Sequence, residues 1–337
     1  VAAKKGQSMR HDKLSIIFHG DNASSFRPGF ERLLATQHRL IDLSEGLASA
    51  AERSEYERAD VIIGVKFNAS LPLPRHLSLF HAPAAGTDAV DLALLPASAA
   101  LCNCFGHEAA IAEYVMTALL LRHVPLAAAD ADLRAQRWTY WAGRLTGLRT
   151  ELGGQTIGLL GFGHIAKAIA ARAKAFGMGV HVANRSAVSS PLVDRYFSLA
   201  ELPAFMGSAD ALVVSLPLAE QTRGLIGQAE LAAMRPEAVI LNVGRGPVIE
   251  EQALFDALAE RRIGGAIIDT WYQYPTPTQA ECAPSSLDFA SLPNVVMTPH
   301  MSGWTIGTVL RRQHTMADNI ARLAEGRSLL NVVRQAA

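Results

Sequence analysis

Neither sign of charge predominates in this sequence. Lys and Arg together number 31 and Asp and Glu also 31, so no net field draws the chain onto a polyphosphate backbone or an anionic lipid surface. Neither a nucleic acid nor a membrane is expected as a partner. Long apolar runs are also missing: none reaches the roughly 18 residues that a bilayer crossing requires, and the start of the chain lacks a secretion-signal pattern. Cysteine is scarce, with three in all. Cys102 and Cys104 lie in an apolar stretch with no His or Cys partners at zinc spacing, which speaks against a metal site and for reduced thiols in a cytoplasmic protein. Val1 to Ser8, ahead of Met9, reads as an expression remnant or loose tail outside the fold.

What the chain does have is length and apolar content. Its 337 residues, half of them hydrophobic, are about twice the usual size of one domain, so two domains are expected. Short apolar runs bounded by turn residues alternate with helical-period segments, the pattern of parallel sheets covered by helices. Strands are expected at 14–18, 39–43, 61–65, 77–81 and 100–103, enough for one small α/β domain. A long helical segment should begin near Glu108 and run to the Trp138/Trp141 region as a connector or an arm for self-association. Six further strands, at 156–160, 179–183, 211–216, 238–242, 265–269 and 295–298, match a doubly wound dinucleotide-binding domain. A last helix from Thr305 to about Glu325 should return to the first domain. The expected division is therefore residues 9–105 completed by 304–337, and residues 106–303, each an α/β domain of Rossmann-like or flavodoxin-like type with a cleft between them.

The run Gly161-Phe-Gly163-His-Ile-Ala166 follows a strand and opens a helix carrying Ile165, Ile169, Ala173 and Phe176 on one face. Gly161 permits the tight turn and Gly163 lets backbone approach a pyrophosphate, which the free N–H groups of the helix N-terminus stabilise. At the end of the next strand, where NAD-preferring sites carry Asp or Glu, stand Asn184, Arg185 and Ser186. Without a carboxylate there is nothing to repel a 2′-phosphate, and the Arg185 fork can bind one. NADP(H) is expected, with NAD(H) as the alternative if Arg185 only faces solvent.

Three loops follow later strands at the carboxyl edge, where open α/β sheets bind ligands: Asn242-Val-Gly-Arg245-Gly246, Asp269-Thr-Trp-Tyr-Gln-Tyr274 and Thr298-Pro-His300. With Ala85-Gly86-Thr-Asp88, Ile111-Ala-Glu113, the glycine-rich turn and Leu216-Pro-Leu218, their order resembles the D-isomer-specific 2-hydroxyacid dehydrogenase family, from about Asp60 to Gly303. The resemblance implies that Arg245 holds a substrate carboxylate and polarises its 2-oxo group. It implies that His300 is the acid in reduction and the base in oxidation. It places the cofactor against Gly161, Gly163, His164 and Ile165, against Leu216, Pro217 and Thr222, against Val243 and Gly244, and beside Asp269. Backbone N–H groups of Ala85 and Gly86 would bind the carboxylate from the first domain. The residue chemistry agrees: a guanidinium fork suits a planar 2-oxo acid, and an imidazole delivers a proton near neutral pH.

Two positions depart from the family pattern. His107 stands where the family often has Asn; it either lines the substrate pocket or faces solvent at a helix start. The third catalytic position, five residues after Asp269, is Tyr274 rather than Glu, or the Gln of formate dehydrogenases. Trp271, Pro275 and Pro277 look like the formate dehydrogenase loop, but Gln273 is one place early. A phenol supplies no charge to raise the histidine pKa, so reduction is expected to fade as pH rises through about 6.5, or lower if the ring is buried. That changes if Glu281, in the same loop, reaches the ring. The resulting expectation is a homodimeric reductase of a small 2-oxo acid, glyoxylate or hydroxypyruvate first. The alternatives are a bulkier substrate admitted by Ala84 and Ala85, or a nucleotide-sensing protein like the corepressors of this fold.

Overall fold

The computed structural model describes residues 13–276 and 279–336; Val1 to Ser8 and Pro277 lie outside them. Of the described residues, those up to Gly106 together with those from Thr305 onward form one compact unit, and those between His107 and Trp304 form the other. In the first unit, β1 (Ser15–His19), β2 (Arg39–Leu43), β3 (Val61–Gly64), β4 (Leu79–His81) and β5 (Ala100–Cys102) are joined by loops and two short helices, α1 (Gly20–Ser24) and α2 (Ala50–Glu57). α2 starts where a capping box dictates: the Ser49 side chain accepts from the Glu52 N–H while the Glu52 carboxylate accepts from the Ser49 N–H.

The second unit opens with α3 (Glu108–His123) and α4 (Leu126–Arg134). The expected single connector helix is thus two, bent by 47°, because Pro125 has no N–H to continue the ladder and its ring disfavours helical backbone at the residue before it. The helix also ends at Arg134, short of Trp138 and Trp141. No single helix among the described residues is long and apolar enough to cross a membrane.

Beyond the connector come β6 (Thr156–Leu160), α5 (His164–Ala175), β7 (Gly179–Ala183), β8 (Arg195–Phe197), α6 (Leu202–Met206), β9 (Ala211–Val214), α7 (Gln228–Ala232), β10 (Val239–Asn242), α8 (Glu251–Ala259), β11 (Gly265–Ile268) and β12 (Val295–Met297). The sheet order is β12-β11-β10-β9-β6-β7-β8, all parallel, the doubly wound arrangement with one strand added. It holds seven strands rather than the six expected. The one missed, β8, is a three-residue edge strand with only Phe197 buried, too short to show a period. Alternate strand residues feed two cores: Ile157, Leu159, Val182, Val213 and Leu241 meet α3 and α5, while Leu160, Leu212, Val214 and Ile240 meet Phe205, Leu254, Leu258 and Trp271. Phe176, expected on the buried face of α5, caps its C-terminus and is exposed.

The chain then rejoins the first unit through α9 (Ile306–Ala324), capped by the Thr305 hydroxyl, and ends in β13 (Val332–Arg334). Met316, Ala317 and Ile320 of α9 join the core beneath β1, β3 and β5. β13, expected to be only a tail, pairs antiparallel with β5, so that sheet reads β13-β5-β4-β3-β1-β2. Apart from this edge strand, both sheets are parallel, as the alternating pattern requires.

Candidate active site

The turn after β6 is built around Gly161, whose φ is +89° and where a Cβ would stand 2.8 Å from Leu216 Cδ2. No other residue fits that turn. At Gly163, the N-cap of α5, a Cβ would meet nothing within 4 Å. The cradle at this helix N-terminus is open, as a pyrophosphate requires. His164 and Ile165 begin the helix, His164 exposed and Ile165 half-buried. Arg185 and Ser186 are exposed beyond β7, where Asn184 Nδ2 donates to the Ser186 carbonyl at 2.9 Å. In the loop after β9, the Thr222 hydroxyl donates to the Pro217 carbonyl at 2.7 Å and accepts from the Ala219 N–H at 2.8 Å. Leu216 lies against the Gly161 turn. These residues fit a dinucleotide, and none presents a carboxylate to a 2′-phosphate.

Arg245 is displayed by a loop that Asn242 ties down from both sides: its Nδ2 donates to the Arg245 carbonyl at 3.0 Å and its Oδ1 accepts from the Gly244 N–H at 3.1 Å. Val243 and Gly244 are buried in that loop, and Arg245 is half-buried.

His300 has the left-handed φ of +57°, unusual for a residue with a Cβ, and the turn that imposes it is heavily braced. Fully buried Asp269 accepts from the Met301 N–H at 2.9 Å, the Ser302 N–H at 3.0 Å and the Thr298 hydroxyl at 2.6 Å. Since a carboxylate only accepts, Thr298 donates to it, and Tyr114 of α3, 2.7 Å away, in turn donates to Thr298. Trp271 Nε1 donates to the Thr298 carbonyl at 2.8 Å. Asp269 thus spends its oxygens on the His300 turn, a task that sequence spacing does not suggest. Asn242, Thr298 and Tyr114 escaped sequence reasoning as positioning residues; the only signal was that the first two lie inside the motifs.

Tyr274 is where the departure from the family pattern becomes visible. Its hydroxyl lies 2.9 Å from His300 Nδ1 and accepts from the Trp271 N–H at 3.0 Å. Among the described residues no carboxylate pairs with the ring, Glu281 included, so the phenol stands in the carboxylate's place. Burial lowers the His300 pKa below the usual histidine value; Asp269 opposes this and Arg245 reinforces it. Burial raises that of Tyr274, against the pull of the Trp271 N–H and Arg245.

His107, the N-cap of α3, is 8% exposed, which removes the solvent-facing alternative; the Gly303 turn packs on it, a Cβ there standing 3.3 Å from His107 Cβ. Ala85 and Gly86 belong to the first unit, in the turn after β4, which Asn103 anchors by donating to the Ala85 carbonyl at 2.7 Å. No acceptor among the described residues takes either N–H. All three cysteines are free, and burial pushes the Cys102 and Cys104 thiols up to about 12. Among the described residues no group of three or more His, Cys, Asp or Glu is placed to hold a metal ion.

A doubly wound sheet with an open glycine cradle, and with Arg245 and His300 on loops at its carboxyl edge, has the form of a dinucleotide-binding domain. The NAD binding domain model of the D-isomer specific 2-hydroxyacid dehydrogenases matches residues 115–302, and the chain belongs to that family. It is 32% identical over 219 residues to glyoxylate/hydroxypyruvate reductase A HPR2 of Arabidopsis thaliana, covering 65% of this chain and 64% of that protein. It is 30% identical over 233 residues to the (S)-sulfolactate dehydrogenase of Chromohalobacter salexigens, covering 69% and 70%. The chain spans less than two thirds of the length of the first of these. The fold is shared with an NADPH-dependent glyoxylate/hydroxypyruvate reductase of Sinorhizobium meliloti solved with NADP and sulfate, at 24% identity, a TM-score of 0.75 and coverage of 96% of this chain and 98% of that one.

Proposed function

We propose that the protein reduces a small 2-oxo acid to the D-2-hydroxy acid using NADP(H), with NAD(H) the weaker cofactor and glyoxylate or hydroxypyruvate the first substrates to try. The observation that carries this reading is that Arg245 and His300, each on a braced loop, stand with Asp269 after three adjacent strands, β10, β11 and β12, of a dinucleotide-type sheet. The bound dinucleotide supplies the hydride. Arg245 holds the substrate carboxylate and stabilises the developing alkoxide, and His300 delivers the proton. The N–H groups of Ala85 and Gly86 give the carboxylate further donors, and His107 lines the pocket. On the cofactor side, Gly161, Gly163, His164 and Ile165 take the pyrophosphate. Asn184, Arg185 and Ser186 take the 2′-phosphate, and Leu216, Pro217, Thr222, Val243, Gly244 and Asp269 complete the nucleotide wall. The similarity to glyoxylate/hydroxypyruvate reductases supports the substrate class. A bulkier 2-oxo acid is the second reading, favoured by the exposed Met301 and Trp304 beside His300.

The protein works as a homodimer in the cytoplasm on this reading; the reduced, buried thiols support the compartment and the exposed arm after α3 supports the dimer. Steady-state oxidation of NADPH and NADH with glyoxylate, hydroxypyruvate and phenylpyruvate tests the whole. An arginine–phosphate contact of roughly 1.5–3 kcal/mol makes NADPH preferred by at least about tenfold in kcat/KM, and Arg185→Ala should abolish that preference. No turnover with any of the acids would leave the protein a nucleotide-binding module instead.

A further inference from the structure

Donor counting points to one set of hydrogen-bond directions around His300. The Trp271 N–H can only donate, so one lone pair of Tyr274 Oη is committed to it at 3.0 Å. The phenol has a single proton, and His300 Nδ1 lies 2.9 Å from Oη. The arrangement that leaves no partner unused sends the phenol O–H to Nδ1. Nδ1 is then an acceptor, and the one proton of the neutral ring sits on Nε2. A carboxylate partner would impose the opposite tautomer, because it accepts from Nδ1–H.

From this geometry we propose that Tyr274 and His300 form a proton relay: the neutral imidazole, loaded at Nε2, protonates the substrate oxygen while the phenol of Tyr274 refills Nδ1. The inference rests on His300 being the proton donor of a 2-oxo acid reductase. As the carbonyl carbon receives hydride from reduced nicotinamide, the C=O π pair becomes an oxygen lone pair, which takes the Nε2 proton. The Nδ1 lone pair takes the phenol proton, and Tyr274 is left as a phenolate. The transfer runs downhill, because a 2-hydroxy acid alkoxide is far more basic than a phenolate, whose conjugate acid has a pKa of about 10. Burial disfavours the phenolate on balance, against the pull of the Trp271 N–H and the Arg245 charge. The site resets when Nε2 takes a proton from water and Nδ1 returns its proton to Tyr274.

The charged groups facing His300 show why such a relay is needed. Arg245, on the loop after β10, disfavours an imidazolium, and Asp269, after β11, favours one but has both oxygens engaged in bracing the turn. Desolvation of this partly exposed residue lowers its pKa from the usual histidine value, which favours the neutral ring at neutral pH. A donor that must be an imidazolium would be mostly empty there. A donor refilled by a phenol is not, and the fading of activity through about pH 6.5 expected from the sequence is thereby replaced by a plateau. Tyr274 acts through His300 and does not itself meet the substrate.

The test follows kcat/KM for reduction between pH 5.5 and 9.5 in wild type, Tyr274→Phe and Tyr274→Glu, together with the ¹⁵N histidine resonances of the protein without substrate. Wild type should hold a plateau to about pH 9. Tyr274→Phe should fall about tenfold per pH unit above a midpoint under 6.5, reaching a loss of at least about thirtyfold by pH 8. Tyr274→Glu should recover activity with a midpoint above 6.5, since a carboxylate stabilises the imidazolium. The ¹⁵N pattern of His300 at pH 7.5 should be that of the Nε2–H tautomer in wild type and lose this bias in Tyr274→Phe. A wild-type profile that falls with the low midpoint of Tyr274→Phe, or an Nδ1–H pattern, would overturn the relay. The resonances decide the tautomer whether or not turnover is seen, so a failure of the reductase reading and a failure of the relay are told apart.

Discussion

Arg245 shows how much a single side chain depends on its loop. Asn242, buried at the end of β10, holds the backbone on both sides, and Nη1 of the guanidinium donates to the Gly244 carbonyl at 2.9 Å. An ammonium on the same loop has charge but no fork. Arg245→Lys should therefore lower kcat/KM by at least about a hundredfold, the worth of a charge-assisted pair of roughly 3 kcal/mol. NADPH affinity should stay within about twofold. Nucleotide fluorescence titration beside turnover separates the two, and full turnover by the variant would take Arg245 out of the substrate site.

The N-terminus of α5 is where element and ligand meet. A side chain at Gly163 would enter open space, so Gly163→Val should leave the unliganded melting temperature almost unchanged. It should nevertheless weaken NADPH by at least tenfold, because the methyls occupy the approach to the helix N–H groups. Unchanged nucleotide affinity would mean that the pyrophosphate lies elsewhere. This element was legible in sequence because a buried strand, two glycines and an amphipathic helix are all local signals. The same holds for β1, β3, β9, β10 and β11, whose residues are buried throughout or nearly so. β8 and β13 were not legible: each has three residues with at most one buried, and their existence depends on a neighbour already in place. The break at Pro125 was written in the sequence, but the apolar period continuing past it masked the stop. The site shows the same divide. Arg245 and His300 sit in motifs, whereas the Tyr114 to Thr298 hydrogen bond joins residues 184 apart and the Tyr274 to His300 bond depends on how a Pro-rich loop folds back.

At the scale of the whole molecule, the stretch after α3 is held by local hydrogen bonds and ion pairs but buries almost nothing. α4 buries none of its residues, and every residue from 133 to 151 is exposed, with Trp138 at 61%, Leu145 at 88% and Leu148 at 73%. Asp130 pairs with Arg134 and Asp132 with Arg137 inside the segment, and Arg144 lies over the Trp141 ring. A soluble chain rarely leaves so much contiguous apolar surface uncovered, and a second copy is the occupant that is always available and can bury the same arm reciprocally about a two-fold axis. Sedimentation equilibrium should accordingly give about twice the chain mass of 36.1 kDa at micromolar concentration, since interfaces of this apolar kind exceed roughly 1,600 Å². A double change of Trp138 and Leu145 to Ser should shift the protein toward monomer at the same concentration. The shift should persist at about 0.5 M salt, because salt screens charges and the side chains removed are apolar. A wild-type monomer that keeps its arm protected from protease would show that the segment is stabilised within one chain, and the dimer reading would fall with it.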